Sequence, residues 1–284
     1  MGDAVAERTE VSAQPEVTSQ ERSGGPLAFL WGRAGRRALS LILFVAVWEA
    51  FAVLNRSWRL INPNLVPAPH EVVAAGVELA RAGTLWTDVG MSLTRALEGF
   101  AFAAVLGVLI GMLSGYLALF EDFTDPVIEL IRPIPPLAFL PMFIIWFGIG
   151  ELSKVLFITF SCFFPIYLST AQGVRFTDPI LIRAARSLGA SEPQVFWHVV
   201  LPAALPEIMT GLRLGFGMSL FVLVAAELIA ADAGLGYRIQ EARNTFRVDV
   251  MFLGAFAIGI LGYVIGLLLR WLQAYMLRWK SQVN

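Results

Sequence analysis

TDPILIRAARSLGASEPQVFWHVVLPAALP, residues 177–206, lies between two long apolar segments and carries its own punctuation. Asp178 has the short side chain that caps a helix start, and Pro179 suits the first helical position, where a missing N–H costs nothing. Gly189 falls where a helix must reverse through left-handed backbone. Ser191 precedes Gln194 by three residues, the spacing of a capping box. Leu201-Pro202 is expected to close the second helix and lead into the next apolar segment. The stretch predicts a hairpin of two short helices over 177–202. A polar-faced hairpin set between two membrane spans has one evident use, the docking of a soluble partner.

The surroundings must be membrane. Hydrophobic residues make up 57% of the 284 residues and charged residues only 15%, more apolar surface than one core of this size hides. The chain reads as an all-α, polytopic membrane protein with about six spans, near 38–54, 99–119, 126–147, 152–172, 204–230 and 250–272. The net charge of −1 says nothing about nucleic acid, but the absence of any basic tract argues against such a partner. Cys162 is the single cysteine, and His70 and His198 are the only histidines, far apart in sequence. No disulfide framework follows, and no metal site.

Outward from the hairpin, each flank has local features. Residues 1–26 are polar and short of aromatics and are expected to be a disordered cytoplasmic tail. Residues 27–284 then form a single transmembrane domain. A short interfacial helix is expected from His70 to Ala82. Asp88–Glu98 reads as a polar turn before the second span, which carries Gly107, Gly111 and Gly115 at the spacing that lets helix backbones approach closely. The third span contains Pro133, Pro135, Pro136 and Pro141. Unwound backbone at membrane depth is tolerated only inside protein or along a wet cavity. Pro135 and Pro136 are therefore candidates for the translocation pathway, together with the polar Ser161, Tyr167 and Ser219, although a serine in a span also bonds its own backbone. Residues 231–249 read as a loop.

Arg33, Arg36 and Arg37 before the first span hold the N-terminus in the cytoplasm by the positive-inside rule. Six spans return the C-terminus to the same side, where Arg270, Arg278 and Lys280 belong, and put the hairpin there too. Arg238, Arg243 and Arg247 are the counter-signal, since this topology places them outside. Among charges within spans, Glu129 with Arg132 and Glu207 with Arg213 are expected to form structural ion pairs rather than to contact substrate.

The hairpin resembles the cytoplasmic signature of ABC importer permeases: Glu-Ala-Ala, three residues, Gly, nine residues, an aliphatic residue, any residue, then Leu-Pro. Arg183-Ala184-Ala185, Gly189, Val199 and Leu201-Pro202 occupy those slots at the family's spacing, with Arg183 standing where Glu is usual. Leu65-Val66-Pro67-Ala68-Pro69, Arg132-Pro133-Ile134-Pro135-Pro136, Trp146-Phe147-Gly148-Ile149-Gly150 and Gly234-Leu235-Gly236-Tyr237 resemble the nitrate, sulfonate and taurine branch. The resemblance covers about residues 38–280. It implies a MetI-like permease fold and a homodimer in the bacterial plasma membrane. It also implies a separate ABC ATPase subunit, which binds the ATP, and an extracytoplasmic substrate-binding protein.

The residues agree with that division of labour. The sequence has no Walker A loop: the G-x-G-x-x-x-K at 148–154 lacks the required gap and ending, so the chain is not expected to be an enzyme. It calls for no cofactor of its own. An ion-coupled secondary transporter is the rival reading, but it needs matched broken helices in two halves, and only the third span is proline-broken. The resemblance points to a small anion as solute: a sulfonate, taurine, nitrate or an aromatic carboxylate.

Overall fold

The computed structural model describes residues 33–277, so the expected N-terminal tail and the basic residues Arg278 and Lys280 lie outside the described part. The chain divides into two compact units, Met1–Phe51 and Ala52–Asn284. Helix α1 (Arg33–Trp58) carries the first span. Leu41, Ile42, Leu43 and Phe44 are all exposed. Four consecutive helical residues point around the whole circumference, so this part of α1 suits a lipid surround.

After α1 the chain turns at Pro63–Leu65 and enters the short helix α2 (Pro69–Arg81). Pro69 opens α2 with no donor to waste. Glu71 reaches back to accept from the Ala68 N–H at 2.8 Å and also pairs with Arg56. The Ala68 bond, aided by Arg56, holds the Glu71 carboxyl below the usual 4.5. At the other end of α2, Glu78 receives both terminal nitrogens of Arg247, at 3.2 and 3.0 Å. That contact lowers the Glu78 carboxyl and raises the Arg247 guanidinium.

Helix α3 (Thr84–Tyr116) corrects the expectation for the second span. Residues 88–98 are not a polar turn but the first part of one 33-residue helix, about 50 Å long at 1.5 Å per residue. Asp88, Ser92 and Arg95 share a face at helical spacing and are buried, so their polarity is consumed by partners rather than by water. The third span is likewise not one helix. It forms α4 (Ala118–Ile131), then a 3-10 turn at Pro136–Phe139 and α5 (Leu140–Phe147), bent by 86° at the break. Pro133, Pro135 and Pro136 remove three backbone donors in four positions, and Pro135, ahead of Pro136, is turned out of helical angles at ψ 126°.

Helix α6 (Glu151–Arg175) is the most enclosed span. It packs between α3 and α8, and small residues set the approach. Ile166 is wedged from both sides: a Cβ added to Gly107 of α3 would fall 2.8 Å from its Cγ2, and one added to Gly215 would fall 2.6 Å from its Cγ1. Neither position has room for a methyl group. Ala103, Phe157, Ile158, Cys162, Val222 and Leu223 fill the remainder of this core, and Leu140 and Phe143 of α5 close it.

Helix α7 (Pro179–Ser187) is followed by α8 (Glu192–Ala230). The fifth span was expected to begin near 204, after a helix closed by Leu201-Pro202. The helix instead runs straight through, with a π turn at Phe196–Val200. Leu201 donates to the carbonyl of Phe196, five residues back. This wider turn absorbs the donor that Pro202 lacks and makes room for its ring. Residues 231–249, expected as a loop, contain the helix α9 (Leu235–Asn244), which leads into the last span, α10 (Val248–Met276). Among the described residues there is no strand, and five helices, or six counting the bent pair, are long and apolar enough to cross a membrane.

Candidate functional site

The caps and the turn of the hairpin between α6 and α8 are built as the sequence suggests, although its second helix runs on into the span. The Asp178 carboxylate accepts from the Ile180 N–H at 2.8 Å. At the far end of α7, Gly189 has φ +84°, and its N–H bonds the Arg186 carbonyl at 2.9 Å while Ala190 N–H bonds that of Ala185 at 3.1 Å. These two bonds make a Schellman motif, and the positive φ is what glycine permits there. The Ser191 N–H then donates to Gln194 Oε1 at 2.8 Å, opening α8.

The two faces of this hairpin differ. Val195, Val200, Ala204 and Ile208 are buried with Val174 of α6, and Ile182, Ala185, Ala190 and Leu201 pack onto them, as do Val108, Met112 and Tyr116 of α3. Arg186 grips Glu192 at 2.9 Å across the turn, and the Tyr116 hydroxyl donates to the same carboxylate at 3.0 Å. One carboxylate thus ties α7, α8 and the end of α3 together. The outer face carries Ile180, Leu181 and Leu188, the last 89% exposed. Arg183 and Ala184 are also exposed, and Arg183 forms no ion pair among the described residues. Val199 and Pro202 are half-buried in and just beyond the π turn.

The pathway candidates are scattered. Pro135 and Pro136 sit at the bend between α4 and α5. Ser161 and Ser219 are buried and donate to their own helix, to the carbonyls of Phe157 and Phe216. The Tyr167 hydroxyl is enclosed with Ser114 and Thr124 and donates to Asp125 at 2.7 Å. Asp125 also receives Arg175, at 3.0 Å, so this cluster joins α4 to α3 and α6.

Neither expected intramembrane ion pair forms. Glu129, Arg132, Glu207 and Arg213 are all exposed and unpaired among the described residues. A different network, missed in the sequence, occupies the end of the bundle away from the hairpin. Arg95 of α3 forks onto Glu151 of α6 at 2.5 and 2.7 Å, and reaches Glu227 of α8 at 2.7 Å. Glu227 is buried and also accepts from Ser92 at 2.8 Å and from the Gly236 N–H at 2.8 Å. Lys154 braces Glu151 at 2.8 Å, and Asp88 binds Arg238 at 2.7 Å and the Gly234 N–H at 3.0 Å. Gly234 has no alternative: its φ is +127°, and a Cβ there would lie 2.3 Å from the Glu227 carboxylate. The signal available in the sequence was the 88-92-95 spacing, which places three polar residues on one helical face.

This arrangement is that of a polytopic permease: apolar helices clamped at one end by ions and carrying at the other a capped hairpin with an unfilled outer face. The chain belongs to the family described as the binding-protein-dependent transport system inner membrane component, whose model matches residues 103–282. It is 42% identical over 250 residues to the taurine transport system permease protein TauC of Escherichia coli (strain K12), covering 86% of this chain and 90% of that one. It is 35% identical to the putative aliphatic sulfonates transport permease protein SsuC of Bacillus subtilis (strain 168), over 84% of this chain and 85% of the relative. Against the nitrate import permease protein NrtB of Synechocystis sp. the identity is 30%, over 89% and 93%. The fold is that of the inward-facing MetNI methionine ABC transporter, with a TM-score of 0.60 at 20% identity over 68% of this chain and 96% of that one. This membership sets aside the secondary-transporter reading. The chain is a permease subunit, and ATP hydrolysis belongs to a separate one.

Proposed function

We propose that this chain is the homodimeric membrane path of an ATP-driven importer for a small sulfonate-type anion, with both termini and the hairpin in the cytoplasm. The observation that carries the reading is the two-faced hairpin. Its inner side is packed onto α3, α6 and α8 together, so a push on it is a push on the core of the bundle. Its outer side offers Ile180, Leu181 and Leu188 to the groove of an ATPase, with Arg183 and Ala184 beside them. Ala185 sits at the join of the two sides, Gly189 makes the reversal, and Val199, Leu201 and Pro202 carry the motion into α8. The bend at Pro135 and Pro136 contributes to the path.

The substrate class rests on the relatives named for taurine, aliphatic sulfonates and nitrate. The test is uptake of labelled taurine into proteoliposomes holding this permease with its ATPase and binding protein. ATP-dependent accumulation that requires the binding protein is expected. Accumulation driven by a proton or sodium gradient without ATP would refute the reading.

A further inference from the structure

Arg213 is a charge without a partner, placed where a partner is needed. It lies on α8 between Gly211, which packs on Ser169 and Ile166 of α6, and Gly215, which packs on Ile166 and Cys162. Its level on α6 is therefore near residue 165, about 15 Å from the Arg175 end and about 21 Å from the Glu151 end at 1.5 Å per residue. That is near the middle of a hydrocarbon core about 30 Å thick, too deep for one side chain to reach either surface.

The guanidinium points away from α6. Gly211 and Gly215 are buried against that helix, while Arg213, Leu214 and Gly217 form the exposed side of α8. Gly217 would carry a Cβ into open space. Arg213 has no ion pair or hydrogen bond among the described residues. An arginine is not left bare to lipid at this depth, so this side of α8 faces water or protein. A second observation agrees. The Pro136–Phe139 turn of the broken span lies against α8, and non-helical backbone at membrane depth is tolerated only inside protein or along a wet cavity.

We propose that Arg213 lines the translocation path and binds the oxyanion head of the solute as it passes. This rests on the importer reading above and names the residue that selects the anion. A guanidinium offers a planar fork of donors matched to sulfonate or carboxylate oxygens. A sulfonate arriving at mid-membrane finds there the only exposed cation that the described part of α8 carries.

The test uses the full transporter in proteoliposomes, with Cys162 replaced by Ala so that an introduced thiol is alone. Arg213→Cys is expected to lose about tenfold or more of taurine uptake, the worth of a charged hydrogen bond. Aminoethyl methanethiosulfonate, which restores a positive charge, is expected to recover uptake. Sulfonatoethyl methanethiosulfonate, which adds a negative one, is expected not to. Arg213→Lys should retain more uptake than Arg213→Met. Wild-type uptake in Arg213→Met would overturn the proposal, as would a thiol at 213 that neither reagent modifies. Failure of the unsubstituted transporter to accumulate taurine would instead overturn the importer reading for that solute.

Discussion

Replacing Glu227 by Gln tests the ion network with almost no change in shape. Three donors converge on this buried carboxylate: the Ser92 hydroxyl, an Arg95 N–H and the Gly236 N–H. A carboxamide has one oxygen, so its NH2 must face at least one of those donors. Ser92 cannot simply rotate away, because its oxygen also accepts from the Leu235 N–H at 2.8 Å. An unsatisfied buried donor costs about 1–3 kcal/mol. Loss of one member of a buried ion pair costs about 3–5 kcal/mol, but Arg95 keeps Glu151, whose side chain is 52% exposed. The low end, about 3 kcal/mol, follows from that retained partner. At about 2–4 °C per kcal/mol for a chain of this size, the melting temperature should fall by about 6–12 °C. Intrinsic fluorescence of the eight tryptophans in detergent reads this directly. A double-mutant cycle with Ser92→Ala should show coupling, since both act on one carboxylate. A shift under 2 °C, or strict additivity, would refute the account of Glu227 as the anchor.

Gly189→Val should strain the reversal by about 1–2 kcal/mol, since a branched residue resists positive φ; membrane assembly by size-exclusion should persist while ATP-driven uptake falls. Arg183→Glu should leave the stability within about 0.5 kcal/mol of wild type, as this exposed side chain forms no ion pair among the described residues. It should change ATPase affinity in a salt-dependent way, read by pull-down across ionic strengths. Glu71 and Glu78 have depressed carboxyl pKa values, so the stability they add is present above the usual 4.5 and is lost as pH falls through their lower folded values. Hydrogen exchange should accordingly show α2 opening below about pH 4.5 before α6 does.

The hairpin was legible because its determinants are local. Asp178, Gly189, Ser191 and Gln194 each act within a few residues, and helix ends obey short-range rules. The spans were legible as apolar runs. What escaped depended on distance in sequence. Residues 88–98 looked like a turn because Asp88 and Arg95 are polar, yet their partners Arg238, Glu151 and Glu227 lie 56 to 150 positions away. Glu129 with Arg132 and Glu207 with Arg213 looked like pairs because they are close in sequence, and closeness along a helix does not make two side chains meet. Pro202 read as a stop because the sequence does not announce a π turn. The bend at residues 132–135 was written in prolines, but its 86° angle was not.

The π turn makes α8 one shaft from Glu192 to Ala230, about 58 Å at 1.5 Å per residue. Such a shaft has leverage. A tilt of about 5° about the far end sweeps the hairpin through about 5 Å over that length. Arg213 stands about halfway along and travels about half as far. Glu227, near the tip, is held by the ion network, so the tip is the fixed pivot and the hairpin is the handle. The same geometry asks little of the ATPase: a stroke of a few ångströms at the handle moves the midpoint by the width of a small anion's contact shell, with no change in the length of any helix.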